Sequence, residues 1–200
     1  YWCSYLCFID MKKVLLVASD PSELKGFGDE WIKCICGVGP ISSATYSAIF
    51  IERYKPDVVF SLGSAGSLGR FKRGDVVSFS TIVTPDQNLS SMHLSLGTTI
   101  GSNRATFKEL YTADKRSGYI LYTSGTFNKE KVESHYSLHS DATDMEAYGV
   151  ALSATVLSVP FFAVKLITDT VGDNSTIGDI SHFYREGRER IKEKVLSLLE

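Results

Sequence analysis

The sequence predicts a single α/β domain, a central mixed β-sheet flanked by helices. Three observations point there. Short, continuous apolar runs alternate with longer segments of helical composition, and several runs end in glycine or an acidic residue. The chain has 200 residues, 44% of them hydrophobic, enough for one full-sized core, and it shows neither an internal repeat nor a linker.

In chain order, Val14-Leu15-Leu16-Val17 is a buried-strand pattern, and Ser19-Asp20-Pro21 supplies helix-start chemistry ahead of Glu23 and Leu24. Residues 31–38 read as a second strand, with Cys34 and Cys36 on one face. It ends at Gly37-Val38-Gly39-Pro40, a turn into a helix that runs to about Tyr54 and carries the small residues Ser43, Ala44, Ser47 and Ala48 for close packing. Residues 57–62 form a third strand running into Gly63-Ser64-Ala65-Gly66-Ser67. That segment is either a turn presenting backbone amides to a ligand or a plain strand-to-loop turn. A strand at 76–83 follows the Arg73-Gly74-Asp75 turn, and residues 84–101 read as a polar excursion over the surface, a flap. Residues 118–123 form a strand ending at Ser124-Gly125-Thr126-Phe127-Asn128, and 129–138 a short polar helix. Residues 147–159 read as a buried helix and 160–167 as a buried strand, while 177–199 pattern as an amphipathic helix covering the sheet.

Two acidic sites stand out against this apolar background. Asp144-Met145-Glu146 opens the buried helix, and Thr168-Asp169-Thr170 closes the buried strand, where open α/β sheets bind ligands. The plainer alternative is that Glu146 caps its helix and Asp169 starts a loop. The net charge of −2, with no basic stripe, excludes a nucleic-acid binder and favours a small ligand. No His or Cys partners lie near Cys34 and Cys36 at zinc spacing, so neither a metal nor a cofactor is expected. Residues 1–10 are apolar, lack a basic start and are too short to span a bilayer. They read as an N-terminal extension, with the domain proper at 11–200, no membrane segment, and a cytoplasmic setting for the unpaired thiols.

Five segments then resemble a known family in order and spacing: Gly37-Val38-Gly39 opening a helix, Lys55-Pro56-Asp57-Val58 leading to Gly63-Ser64-Ala65-Gly66, Gly74-Asp75-Val76-Val77, Asp144-Met145-Glu146, and Thr168-Asp169. Over residues 11–200 the chain resembles the nucleoside phosphorylase and nucleosidase superfamily, and within it most the 5'-methylthioadenosine/S-adenosylhomocysteine nucleosidases. The resemblance implies hydrolysis of a purine nucleoside's N-glycosidic bond by a homodimer without a cofactor.

By the same resemblance, Glu146 with Met145 is the ribose clamp, its carboxylate accepting from two hydroxyls at once. Asp169 is the acid that supports N7 of the departing base. Phe127 stacks on the base, and backbone near Asn128 reads its edge. Ser64, Ala65 and Gly66 face the ribose and the nucleophile. Glu23 is the base for a water nucleophile, one residue later than the family spacing, with Ser22 at the strict position. The superfamily's phosphorylases carry arginines in the first loop and before the Gly-Ser turn. Here no arginine precedes Arg53, and Ser61-Leu62 precede Gly63, so water is expected in place of phosphate. The rival readings are a phosphate-dependent phosphorylase, a futalosine-type hydrolase whose large 5' substituent meets residues 84–101 and His93, and a non-catalytic nucleoside-binding module.

Overall fold

The computed structural model describes residues 13–101, 106–127, 129–175 and 177–200. The N-terminal extension, with Cys3 and Cys7, lies outside them, as does Asn128.

Strand β1 (Val14–Ala18) is buried along its whole length and pairs in parallel with β2 (Ile32–Ile35) on one side and β3 (Val58–Ser67) on the other. Between β1 and β2 the expected helix start closes only one 3-10 turn, Pro21–Leu24. Helix α1 (Pro40–Tyr54) starts after Gly39, whose φ of 100° suits glycine, and ends at Lys55 in the left-handed conformation.

Strand β3 is longer than its apolar run. It continues through Gly63-Ser64-Ala65-Gly66, the segment read from sequence as a turn, because glycine inside a strand also serves where other groups approach the backbone closely. The expected strand at 76–83 is split by Ser80 into β4 (Val76–Phe79) and β5 (Thr81–Val83). The polar excursion holds a 3-10 turn at Ser90–Met92 and the first strand of a small hairpin, β6 (Thr99–Ile100) with β7 (Thr106–Phe107). Next come β8 (Leu110–Tyr111), β9 (Ile120–Thr123), α2 (Glu133–Ser137), β10 (Ala142–Asp144), α3 (Ala147–Val156), β11 (Phe161–Thr170) and α4 (Ile177–Leu199).

The sheet is mixed. Beyond Ser61, β3 leaves β1 and takes β10 as an antiparallel neighbour, while β11 runs parallel to β3 from end to end. The path β3, β10, β9, β5 then returns through Ser80 to β4, β11 and β3, so the central strands close on themselves. One core lies between this sheet and α1 and α3; the other lies under α4 and the 3-10 turn. Helices α1 and α3 touch at Gly149, where a Cβ would collide with the backbone oxygen of Pro40 and the hydroxyl of Ser43. No described helix is long and apolar enough to cross a membrane.

Candidate active site

The ends of β1, β3, β10 and β11 open on a cavity of about 440 Å3, which the first half of α4 covers. Five carboxylates from distant parts of the chain line it: Asp20, Glu23, Asp144, Glu146 and Asp169. Met145, Ser64, Ala65, Gly66 and Phe127 line it as well, so every predicted site residue except Asn128, which lies outside the described residues, is in one wall.

Asp169 reaches the cavity through a fault in the strand pairing. Along β11 the register with β3 advances one for one as far as Ile167 opposite Ala65, then Asp169 pairs with Gly66, so Thr168 is the extra residue of a bulge. Bulges re-aim side chains next to sites. The strand runs on to Thr170, so Asp169 lies within it and does not start a loop. Its Oδ1 accepts from the Thr168 hydroxyl at 2.8 Å. Burial raises the Asp169 carboxyl above the ordinary carboxylate value, against the lowering effect of that hydroxyl. A methyl on Gly66 would stand 3.0 Å from Asp169 Oδ2, which is why a strand residue here carries no side chain.

Glu146 does not cap its helix. Asp144 does: its Oδ2 accepts from the Ala147 amide at 2.9 Å, and its Oδ1 from the Thr123 hydroxyl at 2.5 Å. Glu146 is left to face the cavity. Its Oε1 accepts from the Gly39 amide at 3.2 Å, and its backbone oxygen accepts from the Ser43 hydroxyl at 2.8 Å. The close α1–α3 contact therefore fixes Glu146 in place. Burial, then the nearby Asp144 charge, push the Glu146 carboxyl up to about 7.

Glu23 sits in the single turn after β1, 8% exposed. Its Oε2 accepts from the Ser19 amide at 2.9 Å, the Ser19 hydroxyl at 2.8 Å and the Asp20 amide at 3.2 Å. The late spacing is thus absorbed by a capping box, and Glu23 both closes its turn and faces the cavity. Burial raises its carboxyl, partly offset by the charge of Lys165.

Lys165 and Asp144 carry a role that sequence reading passed over. Lys165 is wholly buried on β11, with Nζ 2.8 Å from Asp144 Oδ2 and 3.3 Å from the Leu62 backbone oxygen to which it donates. Burial pulls its pKa down, but the carboxylates of Asp144, Glu146 and Glu23 more than compensate, leaving it above the ordinary value. One buried cation thus pairs with Asp144 and acts by its charge on Glu146 and Glu23. A methyl on Gly63, whose φ is 143°, would stand 3.1 Å from Glu23 Oε1 and 3.4 Å from Lys165 Nζ, so the bare backbone lets the two approach. The signal was legible: a lysine inside an apolar strand is unstable without a buried partner.

Phe127 is 44% exposed, which excludes a core role and leaves its ring free to meet a ligand. Its loop is held from the excursion, where Asp86 accepts from the Ser124 hydroxyl and the Gly125 amide at 3.1 and 2.8 Å. His93 is exposed and does not line the cavity. Among the described residues no three His, Cys, Asp or Glu side chains are arranged to hold a metal ion.

Comparison with known proteins places the chain in a family. The family model of the phosphorylase superfamily matches residues 27–200. The chain is 26% identical over 180 residues to a 5'-methylthioadenosine/S-adenosylhomocysteine nucleosidase of Geobacillus sp. (strain WCH70), covering 82% of this chain and 77% of that protein. A protein of the same name from Bacillus subtilis (strain 168) is 26% identical over 195 residues, 86% and 82% of the two chains. Among solved structures, an S-adenosylhomocysteine nucleosidase from Streptococcus pyogenes in complex with 5-methylthiotubericidin superposes with a TM-score of 0.78 at 20% identity. It covers 94% of this chain and 96% of its own, and it shows the fold.

Proposed function

Because the chain belongs to the phosphorylase superfamily, we propose that it hydrolyses the N-glycosidic bond of a purine nucleoside such as 5'-methylthioadenosine or S-adenosylhomocysteine, releasing the free base. The observation that carries this reading is that Glu23, Glu146 and Asp169, three of the five carboxylates lining the cavity, meet around it. Among the described residues the cavity wall holds no Arg or Lys side chain, so a phosphate dianion would meet net negative charge there while a neutral water would not. The relatives described above bear the nucleosidase name, which supports the same choice.

The roles follow from chemistry. The base lies against Phe127 with N7 toward Asp169, and the ribose hydroxyls donate to Glu146. As the bond between C1' and N9 breaks, its electron pair goes to the base and Asp169 delivers a proton to N7. Water loses a proton to Glu23 and its oxygen bonds to C1', an arrangement similar to glycosidases that place two carboxyls on opposite faces. The raised carboxyl of Asp169 suits a group that must hold a proton until the base departs. The test is release of base from 5'-methylthioadenosine with and without inorganic phosphate. Release without phosphate supports hydrolysis, and release only with phosphate makes the protein a phosphorylase.

A pH dependence follows from Glu146. Only its ionised form accepts from both hydroxyls, and its carboxyl lies at about 7. KM is therefore expected to rise as pH falls below about 7, approaching tenfold per pH unit. Glu146→Gln should flatten that rise and raise KM by roughly 10- to 100-fold at pH 8, the worth of hydrogen bonds to a charged acceptor. The sign for the fold is opposite. A carboxyl moved from 4.5 to about 7 gives stability that is complete below 4.5 and lost as pH rises through about 7. The same substitution should therefore raise Tm at pH 8. A lower Tm there would contradict the assignment.

The functional unit is proposed to be a homodimer. Helix α1 exposes Ile41, 84%, and Ile49, 52%, two turns apart along one flank. Such a stripe on a short helix suits contact with its own copy. Sedimentation should give twice the chain mass, and Ile41→Asp should reduce it to one. The buried free thiols Cys34 and Cys36 fit a reducing, cytoplasmic setting.

A further inference from the structure

Tyr184, on the first half of α4, is 3% exposed and forms part of the cavity wall. Its hydroxyl is buried and has no hydrogen-bond partner among the described residues. A buried phenol normally finds one, and an unmet donor in a protein interior is unfavourable enough to ask what it is kept for. Glu23 lines the same cavity and has an acceptor to offer. Its Oε2 takes three donors, while among the described residues its Oε1 takes none. Helix α4 packs directly on the turn that carries Glu23, with Leu24, Phe27 and Tyr184 in one apolar cluster. Burial, then the charge of Glu23, raise the Tyr184 hydroxyl well above its ordinary value, so the phenol stays protonated and able to donate.

We infer that Tyr184 is a positioning residue for Glu23, its hydroxyl donating to Glu23 Oε1 once substrate fills the cavity, and so holding the carboxylate ionised and aimed at the attacking water. This rests on the hydrolase reading above. In the structure the two atoms are not hydrogen-bonded, and bonds around a general base commonly tighten only in the substrate complex. The other charged and titratable groups facing Glu23 are Lys165 from β11, Glu146 ahead of α3, Cys36 just beyond β2, and Ser19 and Asp20 in its own turn. Of these only Lys165 is a cation, and it is engaged with Asp144. Tyr184 is the donor that α4 contributes to the same cavity.

The test is Tyr184→Phe, which removes one oxygen. A donor to the ionised form lowers a carboxyl's pKa, so its loss raises it. The acid limb of the kcat profile for base release, which reports the substrate complex, should move up by about one pH unit, roughly tenfold in rate below the limb, with the loss shrinking toward high pH. Tm should not fall, because the deleted hydroxyl has no partner in the folded protein. Superimposable pH profiles, or an equal loss at every pH with a lowered Tm, would overturn the inference while leaving the hydrolase reading intact. A wild-type protein that releases no base at any pH would overturn the hydrolase reading, and this inference with it.

Discussion

Asp169→Asn is expected to slow base release by roughly 10²- to 10⁴-fold, the range a positioned general acid supplies. Binding of a nucleoside analogue should change only a few-fold, because the side chain keeps its size and its place opposite Gly66. The separation follows from the geometry. Asp169 accepts from Thr168 through Oδ1, and its Oδ2 lies over Gly66, which has no side chain to displace it. An amide there can donate to N7 but cannot transfer a proton, so the loss belongs to the transition state. Single-turnover rates and equilibrium binding measured side by side would decide it. Turnover at the wild-type rate would remove Asp169 from the mechanism.

The second large effect is expected from Lys165→Met. This change leaves Asp144 buried without its ion-pair partner and removes the cation near Glu23 and Glu146. Breaking a buried pair from one side costs about 3–5 kcal/mol, so Tm should fall by many degrees. The surviving carboxyls should become harder to ionise, and activity should retreat to higher pH. Lys165→Met combined with Asp144→Leu separates the two contributions. Replacing both charges by apolar groups should recover part of the stability, less the cost of the Ala147 amide and the Thr123 hydroxyl losing their acceptor, but not the activity. If the double variant recovered both, the cation would be structural only.

Several parts of this site were legible before the structure. The apolar run at the start of β3, the run of β11, helix α1 and helix α4 all announced themselves, because burial on both faces of a strand and on one face of a helix leaves a periodic mark. The two acidic sites stood out for the same reason. What was not legible is what depends on register. Nothing local says that Gly63-Ser64-Ala65-Gly66 stays in the strand; the reason lies in Glu23, Lys165 and Asp169 pressing against it from elsewhere in the chain. The bulge at Thr168 is likewise a property of two strands together. Asp144 and Glu146 both line the cavity, and only the Ala147 amide and the Lys165 ammonium mark Asp144 as the one that also holds the helix. The late position of Glu23 looked like a defect of spacing, and a single 3-10 turn absorbs it.

The returning path of the central strands has a consequence for self-association. A β-sheet invites other chains to extend it wherever a long strand has an unpaired side. Here the longest strands, β3 and β11, pair on both sides, and the strands that end the sheet path are β2, of four residues, and β8, of two. Among the described residues the chain thus offers little ladder for a copy of itself to continue. Partners are left to meet it through helix surfaces, where contact ends with the helix and an assembly can close instead of growing into a fibre.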